Sequence, residues 1–350
     1  MTDVTERTAR RTASDTEPMV LAFDVVVTAV QDLTASFRRI TFGGACLTSF
    51  GVAGDTLDLR IKIVIPSEGR DCPDIAGMMA GGSASSWYQT WLGLDAGERG
   101  SMRTYTVRAA RCGGERPEID VDFVLHLDAD GRGGPAAEWA AAAQPGDRVC
   151  VIGPNSSAAQ CATAGAYGGI EWSPGLAQHV LLAGDETAVP AISAILESLP
   201  EDITGHAFLE VPDARDIQDI RTRSSVSITW LTRDGSSHGE ALDAAVRDAV
   251  RVPGWVSLSG SGAVSGGSEP EEVDIDRTIL WETPQLLEAA IVKSTVNPER
   301  FPGTQPFYAW IAGEAAVVRG LRRYLVRDVG VDRKQVAFMG YWRKGRAELS

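Results

Sequence analysis

The sequence has no cysteine pairing pattern, no long apolar run and no excess of basic residues. Its five cysteines are scattered and form no CxxC pair, so neither a disulfide framework nor a zinc site is indicated. No apolar run approaches the ~20 residues of a membrane-spanning helix, and the polar N-terminus lacks a signal peptide's apolar segment. We therefore expect a cytoplasmic protein that stays out of the membrane and holds no resident metal.

Basic residues are too few to suggest a nucleic-acid partner. The chain has 47 acidic and 33 basic residues, and its formal net charge is −14. Such a charge repels nucleic acid unless a basic patch is concentrated locally. With 44% apolar and 23% charged residues over 350 positions, the composition is typical of a globular protein with two domains. A monomer is the simplest expectation.

Short β-rich runs dominate the first half of the chain. Residues 1–18 are polar and aperiodic and read as a disordered tail. Between residues 19 and 155, runs such as LDLRIKIVI, RTYTVRAA and IDVDFVLHL are separated by Gly, Pro and Asp turns, and one helical segment, GGPAAEWAAAAQPGD, interrupts them. This pattern predicts a β barrel of six antiparallel strands with one helix.

Strand, loop and helix units follow in the second half. Residues 179–350 contain HVLLAGDETAVPAISAILESLP and FYAWIAGEAAVVRGLRRYLVRD, which is the rhythm of an α/β domain with a parallel sheet. Residues 156–178 are rich in Ala and Gly and read as a linker or insertion. Residues 257–277 combine a Gly/Ser run with acids and read as a flexible insertion.

The stretch RTYTVR combines a cation with an aromatic ring on an alternating strand. Arg103 can hold a phosphate, Tyr105 can lie against a planar ring, and Thr106 can hydrogen-bond a ring nitrogen. Together they suit a flavin dinucleotide, although an edge strand with a solvated polar face fits the same letters. The helix start GGPAA offers amides to a diphosphate or is an ordinary crossover helix, and His126 ends a strand where it can touch a ring edge.

Two turns in the second half end parallel strands with small and polar residues. GDET places Gly184 at a strand end, and FYAWIAGE does the same with Gly313 and Glu314. Open α/β sheets bind ligands at this edge, so a shared nucleotide cleft is plausible. The spacing is not GxGxxG, and a tight strand-to-helix turn is the competing interpretation.

Six motifs in order resemble those of siderophore-interacting proteins. They are RTYTVR, DFVLH followed by GPAAEWA, QPGD, GDETAVPAI, WIAGEAAVVRGLRRYL and GYWRKG, and they span roughly residues 21–345. The resemblance implies a ferredoxin-reductase-like protein in which an FAD-binding barrel precedes an NAD(P)H-binding-like domain. One departure from the family pattern is Ala137, which stands where serine is common and removes a hydroxyl worth about 1 kcal/mol.

Three groups of site residues are expected, of which the resemblance implies the first and, in the third, Lys62. FAD would contact Arg103, Tyr105, Thr106, Val107, His126, Leu127, Gly134, Pro135, Ala136, Ala137, Asp185, Glu186 and Thr187. NAD(P)H would contact Gly184, Glu210, Arg233, Gly313 and Glu314, although Arg233 also reads as an exposed loop residue. An anionic ferric siderophore would contact Lys62, Arg343, Lys344 and Arg346. An equally good interpretation is that these are ordinary basic residues solvated at the protein surface.

The resemblance implies FAD-dependent reduction of a ferric siderophore, with electrons from NADH, NADPH or a ferredoxin partner. No residue is expected to act as an acid, base or nucleophile, because the flavin carries the electrons. Two alternatives remain open. One is a general flavin reductase or electron-transfer protein, and the other is a module that binds siderophores without turnover.

Overall fold

The structure, a computed structural model, describes residues 17–81, 86–250, 281–283 and 307–345. Most of the expected tail, the expected insertion at residues 257–277 and the candidate Arg346 lie outside these ranges.

The first domain is an antiparallel sheet that curls into a half-barrel. Alternate residues of its strands, such as Phe23, Val25 and Val27 in β1, point into one apolar core and are almost fully buried. In this domain the sheet order is β4-β3-β7-β1-β2-β6-β5. The strands are β1 Val20–Asp32, β2 Phe37–Gly43, β3 Arg60–Ile65, β4 Ser101–Thr106, β5 Ala109–Arg111, β6 Glu118–Val124 and β7 Arg148–Pro154.

This sheet has seven strands where six were predicted, because the RTYTVRAA run breaks in the middle. β4 pairs with β3, and β5 pairs with β6 at the other edge of the sheet. At the break, the Val107 N–H donates to Leu59 O at 2.9 Å and the Arg108 N–H donates to Asp120 O at 2.8 Å. One continuous run therefore supplies both edge strands, β4 and β5, and forms the seam of the half-barrel.

A helical segment that the sequence patterns did not reveal lies between β3 and β4. It contains α1 (Ile75–Ala80), α2 (Ser86–Leu92) and α3 (Ala96–Arg99). The Asp74 carboxylate caps α1 by accepting from the Gly77 N–H at 2.8 Å. Trp91 of α2 is fully buried against the outer face of the sheet, where it packs with Val64. The predicted helix is α4 (Pro135–Ala142), and the short α5 (Ala159–Ala162) follows β7.

The second domain is built on a mainly parallel sheet, as predicted. The sheet order is β10-β9-β8-β12-β13-β11, and within the described residues β11 alone is antiparallel to its neighbour. The strands are β8 His179–Gly184, β9 Thr204–Val211, β10 Ser225–Thr232, β11 Trp281–Glu282, β12 Phe307–Glu314 and β13 Val336–Trp342. The helices are α6 Val189–Ser198, α7 Glu240–Ala249 and α8 Ala315–Arg323, which continues into a π-helical stretch over Tyr324–Val329.

Both faces of the parallel sheet are buried. In β8, Val180 and Leu182 join the apolar cluster beneath α6, whereas Leu181 and Ala183 join the cluster beneath α7 and α8. Strands covered on both sides read as continuous apolar runs, which explains HVLLAG. None of the helices in the described ranges is long and apolar enough to cross a membrane.

Polar contacts join the two domains at several points. The Asp216 carboxylate of the second domain accepts from the Thr34 hydroxyl and the Ser36 N–H, both at 2.8 Å. Arg108, at the barrel seam, forms a bidentate pair with Glu197 of α6 at 2.5 and 2.8 Å. These contacts fix which surfaces of the two domains face one another.

Candidate active site at the domain interface

The RTYTVR motif lies on β4, and its alternation separates two environments. The Tyr105 ring packs 4.3 Å from the ring of Phe123, which in turn lies 5.8 Å from Trp139 of α4. Arg103 and Val107 share this side of the strand, and Val107 is fully buried. The Arg103 guanidinium donates to the Met102 carbonyl at 2.8 Å. Tyr105 thus lies in an aromatic cluster at the edge of the sheet.

The opposite side of β4 faces away from the barrel core. Thr106 and Thr104 lie there, opposite Arg60 and Lys62 of β3. Thr104 and Lys62 are exposed, and the Lys62 ammonium lies 3.3 Å from the Thr104 hydroxyl. Thr106 is buried. This face therefore carries a cation one strand away from the predicted flavin motif.

The start of α4 is held against the end of β6. Leu127 and Gly133 form an isolated antiparallel bridge. A Cβ on Gly133 would lie 2.4 Å from the His126 carbonyl oxygen, so glycine permits this close approach. As a result, His126 and the first turn of α4 are neighbours, as the flavin prediction requires.

The amides at the start of α4 differ from one another as donors. Pro135 has no N–H, and the Ala137 N–H donates to the Gly134 carbonyl at 2.9 Å. Ala136 retains a first-turn N–H, which has no acceptor within the helix. A Cβ on Gly134 would meet nothing within 4 Å, so the approach to this turn is open. These features fit a diphosphate that approaches closely, with Pro135 fixing the turn rather than donating.

The GDET turn meets the barrel at His126. The His126 Nε2 atom lies 2.8 Å from a Glu186 carboxylate oxygen. Glu186 is fully buried, and Arg233 contacts both of its oxygens at 2.6 and 2.9 Å. Burial opposes ionisation, but the hydrogen bonds from His126 and Arg233 outweigh it and lower the pKa of Glu186. Glu186 therefore stays ionised between a histidine of one domain and an arginine of the other.

Asp185 joins the two strand-end turns of the parallel sheet. Its carboxylate accepts from the Thr187 N–H at 2.9 Å, the Glu314 N–H at 2.8 Å and the Trp342 indole N–H at 2.8 Å. Burial and the neighbouring Glu186 charge raise the pKa of Asp185. The GDET and GE turns thus meet at the carboxyl edge of β8 and β12, and a shared nucleotide cleft between them stays a prediction.

Glycine permits this junction at two positions. A Cβ on Gly313, whose φ is 143°, would lie 2.6 Å from an Asp185 carboxylate oxygen, and a Cβ on Gly184 would lie 2.4 Å from that of Ala188. The two predicted nucleotide-turn glycines therefore serve close packing in this structure. Their contact with NAD(P)H stays a prediction.

The other predicted NAD(P)H residues are engaged in internal bonds. Glu210 is fully buried and accepts from the Gly239 and Leu242 N–H groups at 2.8 and 3.0 Å, which caps the start of α7. Arg233 is buried, with 8% exposure, rather than exposed on a loop. A nicotinamide dinucleotide that binds this edge must compete with the Arg233 ion pairs.

The predicted siderophore bases lie on two elements. Lys62 is on β3 of the barrel, whereas Arg343 and Lys344 directly follow β13. The Lys344 N–H donates to a Glu314 carboxylate oxygen at 3.2 Å, which places this tail beside the GE turn. Contacts of these bases with substrate stay a prediction.

Two tryptophans at this interface were not among the predicted site residues. Trp342 lies between His126 and His238, with ring centroids at 5.9 and 5.1 Å, and its indole N–H bonds Asp185. Trp281 lies 4.3 Å over the Arg60 guanidinium. Trp342 is part of the GYWRKG motif, whose pattern indicates a basic cluster and gives no separate signal for the indole. Trp281 carried no comparable signal.

Comparison with known proteins accounts for both domains. The description "Siderophore-interacting FAD-binding domain" matches residues 26–158, and "Siderophore-interacting protein" matches residues 177–345. An uncharacterized protein of Mycobacterium tuberculosis is 31% identical over 329 residues, which cover 93% of this chain and 91% of that protein. The chain belongs to the siderophore-interacting protein family. Its FAD-binding domain contains the RTYTVR strand and α4, so the predicted cofactor, FAD, is confirmed.

Two characterised relatives resemble this siderophore-interacting protein. The ferric vibriobactin reductase ViuB of Vibrio cholerae is 38% identical over 178 residues, which cover 51% of this chain and 57% of ViuB. The crystal structure of the siderophore-interacting protein SipS from Aeromonas hydrophila has a TM-score of 0.56 and 27% sequence identity, and the match covers 95% of both chains. The predicted family and two-domain fold are therefore confirmed.

Proposed function

We propose that this protein is a cytoplasmic oxidoreductase that reduces Fe(III) held by a siderophore, with electrons passing from NADH or NADPH through FAD. The family and its relative ViuB, a ferric vibriobactin reductase, support reduction of a siderophore-bound ferric ion. Siderophores are hard oxygen donors matched to Fe(III), so reduction to Fe(II) weakens the complex and releases the iron.

One contact carries the proposal most directly. The 2.8 Å approach of His126 to Glu186 brings the end of the flavin-domain strand β6 to the GDET turn of the parallel sheet. The elements expected to hold FAD and the sheet edge expected to meet the electron donor therefore face one interface. Electron transfer between two bound partners requires such proximity.

The chain supplies position and electrostatics at this interface. Bound FAD would supply the conversion of one two-electron hydride transfer from a nicotinamide into two one-electron transfers, enough to reduce two ferric ions. Tyr105 offers a ring face, Ala136 offers a first-turn amide, and Arg103 supplies a guanidinium for the diphosphate. Lys62 places a cation on the exposed side of β3, where an anionic ferric complex can be attracted.

Reduced ferredoxin is an alternative to NADH or NADPH as the electron donor, because Arg233 already has internal partners. Arg233, the candidate for the ribose or its 2′-phosphate, is tied to Glu186 at 2.6 Å and lies 3.4 Å from Glu210. A reduced protein donor such as ferredoxin would not need this guanidinium. The donor test must therefore include reduced ferredoxin beside NADH and NADPH.

An anaerobic titration tests the proposal. The purified protein is loaded with FAD, and bleaching of the flavin is followed with NADH, NADPH or reduced ferredoxin in turn. A ferric siderophore is then added, with an Fe(II) chelator as the trap. We expect the flavin to reoxidise as the trapped Fe(II) appears. Reduced flavin that no ferric siderophore reoxidises would contradict the proposal and leave a general flavin reductase as the better description.

A further inference from the structure

The contact between His126 and Glu186 fixes which nitrogen of the imidazole can change its protonation. Both Glu186 oxygens accept from the Arg233 guanidinium, at 2.6 and 2.9 Å, and the Glu186 side chain is fully buried. A bidentate guanidinium contact requires an ionised carboxylate, which accepts hydrogen bonds and donates none. The His126 Nε2 atom, 2.8 Å from a Glu186 oxygen, therefore carries a hydrogen. Nδ1 is the atom at which His126 gains or loses a proton.

His126 is also the accessible member of this pair. Its side chain is 46% exposed, whereas that of Glu186 is 0% exposed. The Trp342 ring lies 5.9 Å from the imidazole, and the bridge between Leu127 and Gly133 keeps the start of α4 beside it. His126 thus lies where the FAD-binding elements meet the second domain, with one nitrogen bound to a buried carboxylate and the ring open to solvent protons.

Buried carboxylates collect beside Glu186 at the edge of the parallel sheet. Asp185, Glu186, Glu210 and Glu314 are each no more than 6% exposed. The Arg233 guanidinium contacts two of them, Glu186 at 2.6 Å and Glu210 at 3.4 Å. Burial and the Glu186 charge raise the pKa of Asp185, so a further negative charge at this interface is repelled. A proton that joins the interface relieves that repulsion.

A second histidine at this interface is less able to take that proton. His238 lies behind Trp342, with ring centroids 5.1 Å apart, and its Nδ1 atom is buried without a hydrogen-bond partner. Burial and the Arg233 charge lower the pKa of His238, so it stays neutral. The charged and titratable groups around His126 are Glu138 of α4, Asp128 and Arg132 of the loop before α4, and Asp185, Glu186, Arg233, His238 and Lys344 of the second domain.

We propose that His126 takes up a proton when the flavin is reduced, and that Glu186 is the positioning residue that prepares the imidazole for it. This inference rests on the proposed function, since it concerns how the FAD of that reaction gains its electrons. Hydride transfer adds one hydrogen and two electrons to FAD, so the reduced ring carries one negative charge. A solvent proton that binds His126 Nδ1 offsets this charge. After two ferric ions have taken the two electrons, the ring hydrogen and the His126 proton both return to solvent as protons.

Histidine NMR tests the proposal directly, because the chain has four histidines. FAD-loaded protein with ¹⁵N-labelled imidazoles is titrated from about pH 5.5 to about pH 9, first oxidised and then after anaerobic reduction with dithionite. The His126 signals are assigned by their absence from His126→Gln. We expect the reduced form to bind the His126 proton at least about tenfold more tightly, the scale of one nearby opposite charge. His206, near the amino end of β9, is the internal control and should titrate alike in both forms.

The midpoint potential of the flavin gives a second readout. For a two-electron couple a tenfold change in an equilibrium constant is about 30 mV, so uptake of one proton lowers the potential by about 30 mV per pH unit. Wild type should show a steeper slope where His126 titrates, and His126→Gln should return to about 30 mV per pH unit there.

Glu186 variants test the positioning role. Glu186→Gln should weaken proton binding at His126 about tenfold in both oxidation states, because a neutral amide no longer favours the imidazolium. The steep part of the potential curve then moves to lower pH. Glu186→Asp keeps the charge and should move it less. Flavin content is measured for each variant, and where a variant loses FAD, the titration of the wild-type protein decides.

The outcomes separate this inference from the proposed function. Equal titration of His126 in the oxidised and reduced protein would overturn the inference. A steep slope that persists in His126→Gln would place the second proton on the flavin itself and would overturn it as well. Either result leaves siderophore reduction standing, provided that a ferric siderophore reoxidises the reduced flavin. Reduced flavin that no ferric siderophore reoxidises would instead overturn the proposed function.

Discussion

Asp58 is a buried carboxylate that joins the barrel to the second domain. It is 2% exposed and accepts from the Trp310 indole N–H at 2.9 Å and the Trp172 N–H at 3.1 Å. Burial raises the pKa of Asp58 from 3.8 to about 6, although these hydrogen bonds act in the opposite direction. At neutral pH the ionised Asp58 carboxylate therefore lowers the stability of the folded protein.

The raised pKa predicts how stability changes with pH. The folded state binds the Asp58 proton more tightly than the unfolded chain, so stability increases as pH falls through the interval between the folded and unfolded pKa values. Integrated from about pH 8 to about pH 4.5, the gain from this one group is about 2 kcal/mol. Asp58→Asn removes the titration. It also places an amide N–H₂ group or an oxygen toward Trp310. This changes the unfolding free energy equally at both pH values, so it cancels when the two values are subtracted.

The assay is urea unfolding of the FAD-loaded protein at both pH values. We expect the pH-dependent change in unfolding free energy to differ between wild type and Asp58→Asn by about 2 kcal/mol. Asp219→Asn is the matched control, because the Asp219 side chain is 80% exposed beside Arg221 and should leave the pH dependence unchanged. Parallel pH dependences for wild type and Asp58→Asn would refute the reasoning.

Three further substitutions test the site. Gly313→Ala should lower the free energy of unfolding by about 2 kcal/mol, because its Cβ would meet Asp185 at a φ of 143°; an unchanged thermal midpoint would contradict this. Ala137→Ser should tighten FAD binding about fivefold by restoring a hydroxyl at the start of α4, as measured by flavin fluorescence of the reconstituted apoprotein. Tyr105→Leu should raise the FAD Kd about tenfold through loss of its ring face, and an unchanged Kd would remove Tyr105 from the cofactor site.

The fold class could be predicted because it depends on local periodicity. Alternation in RTYTVR and the continuous apolar run HVLLAG each identify a strand and the kind of sheet around it. The break at Val107–Arg108 could not be predicted, because it arises when one run changes pairing partners between β3 and β6. The helices α1 and α2 were missed since each is short and gains its stability from packing on the sheet.

Candidate site residues were easiest to propose where a motif combined unusual chemistry in a few letters. GDET and GE were expected to end neighbouring parallel strands, and the Asp185 carboxylate does accept from the Glu314 N–H. The burial of Arg233 was not foreseen, because its partners Glu186 and Glu210 are 47 and 23 residues away. Trp281 was overlooked for the same reason, since its importance depends on Arg60 and not on its sequence neighbours.

The seam formed by β4 and β5 has a consequence for how the cofactor comes and goes. The RTYTVR run ends at the point where the chain passes from one edge of the half-barrel to the other, and there the Val107 N–H bonds Leu59 O and the Arg108 N–H bonds Asp120 O. Amide exchange at these two positions and flavin dissociation should therefore share one local opening step. Saturating the protein with FAD should slow exchange at the seam far more than at the middle of β1, which the sheet protects from both sides.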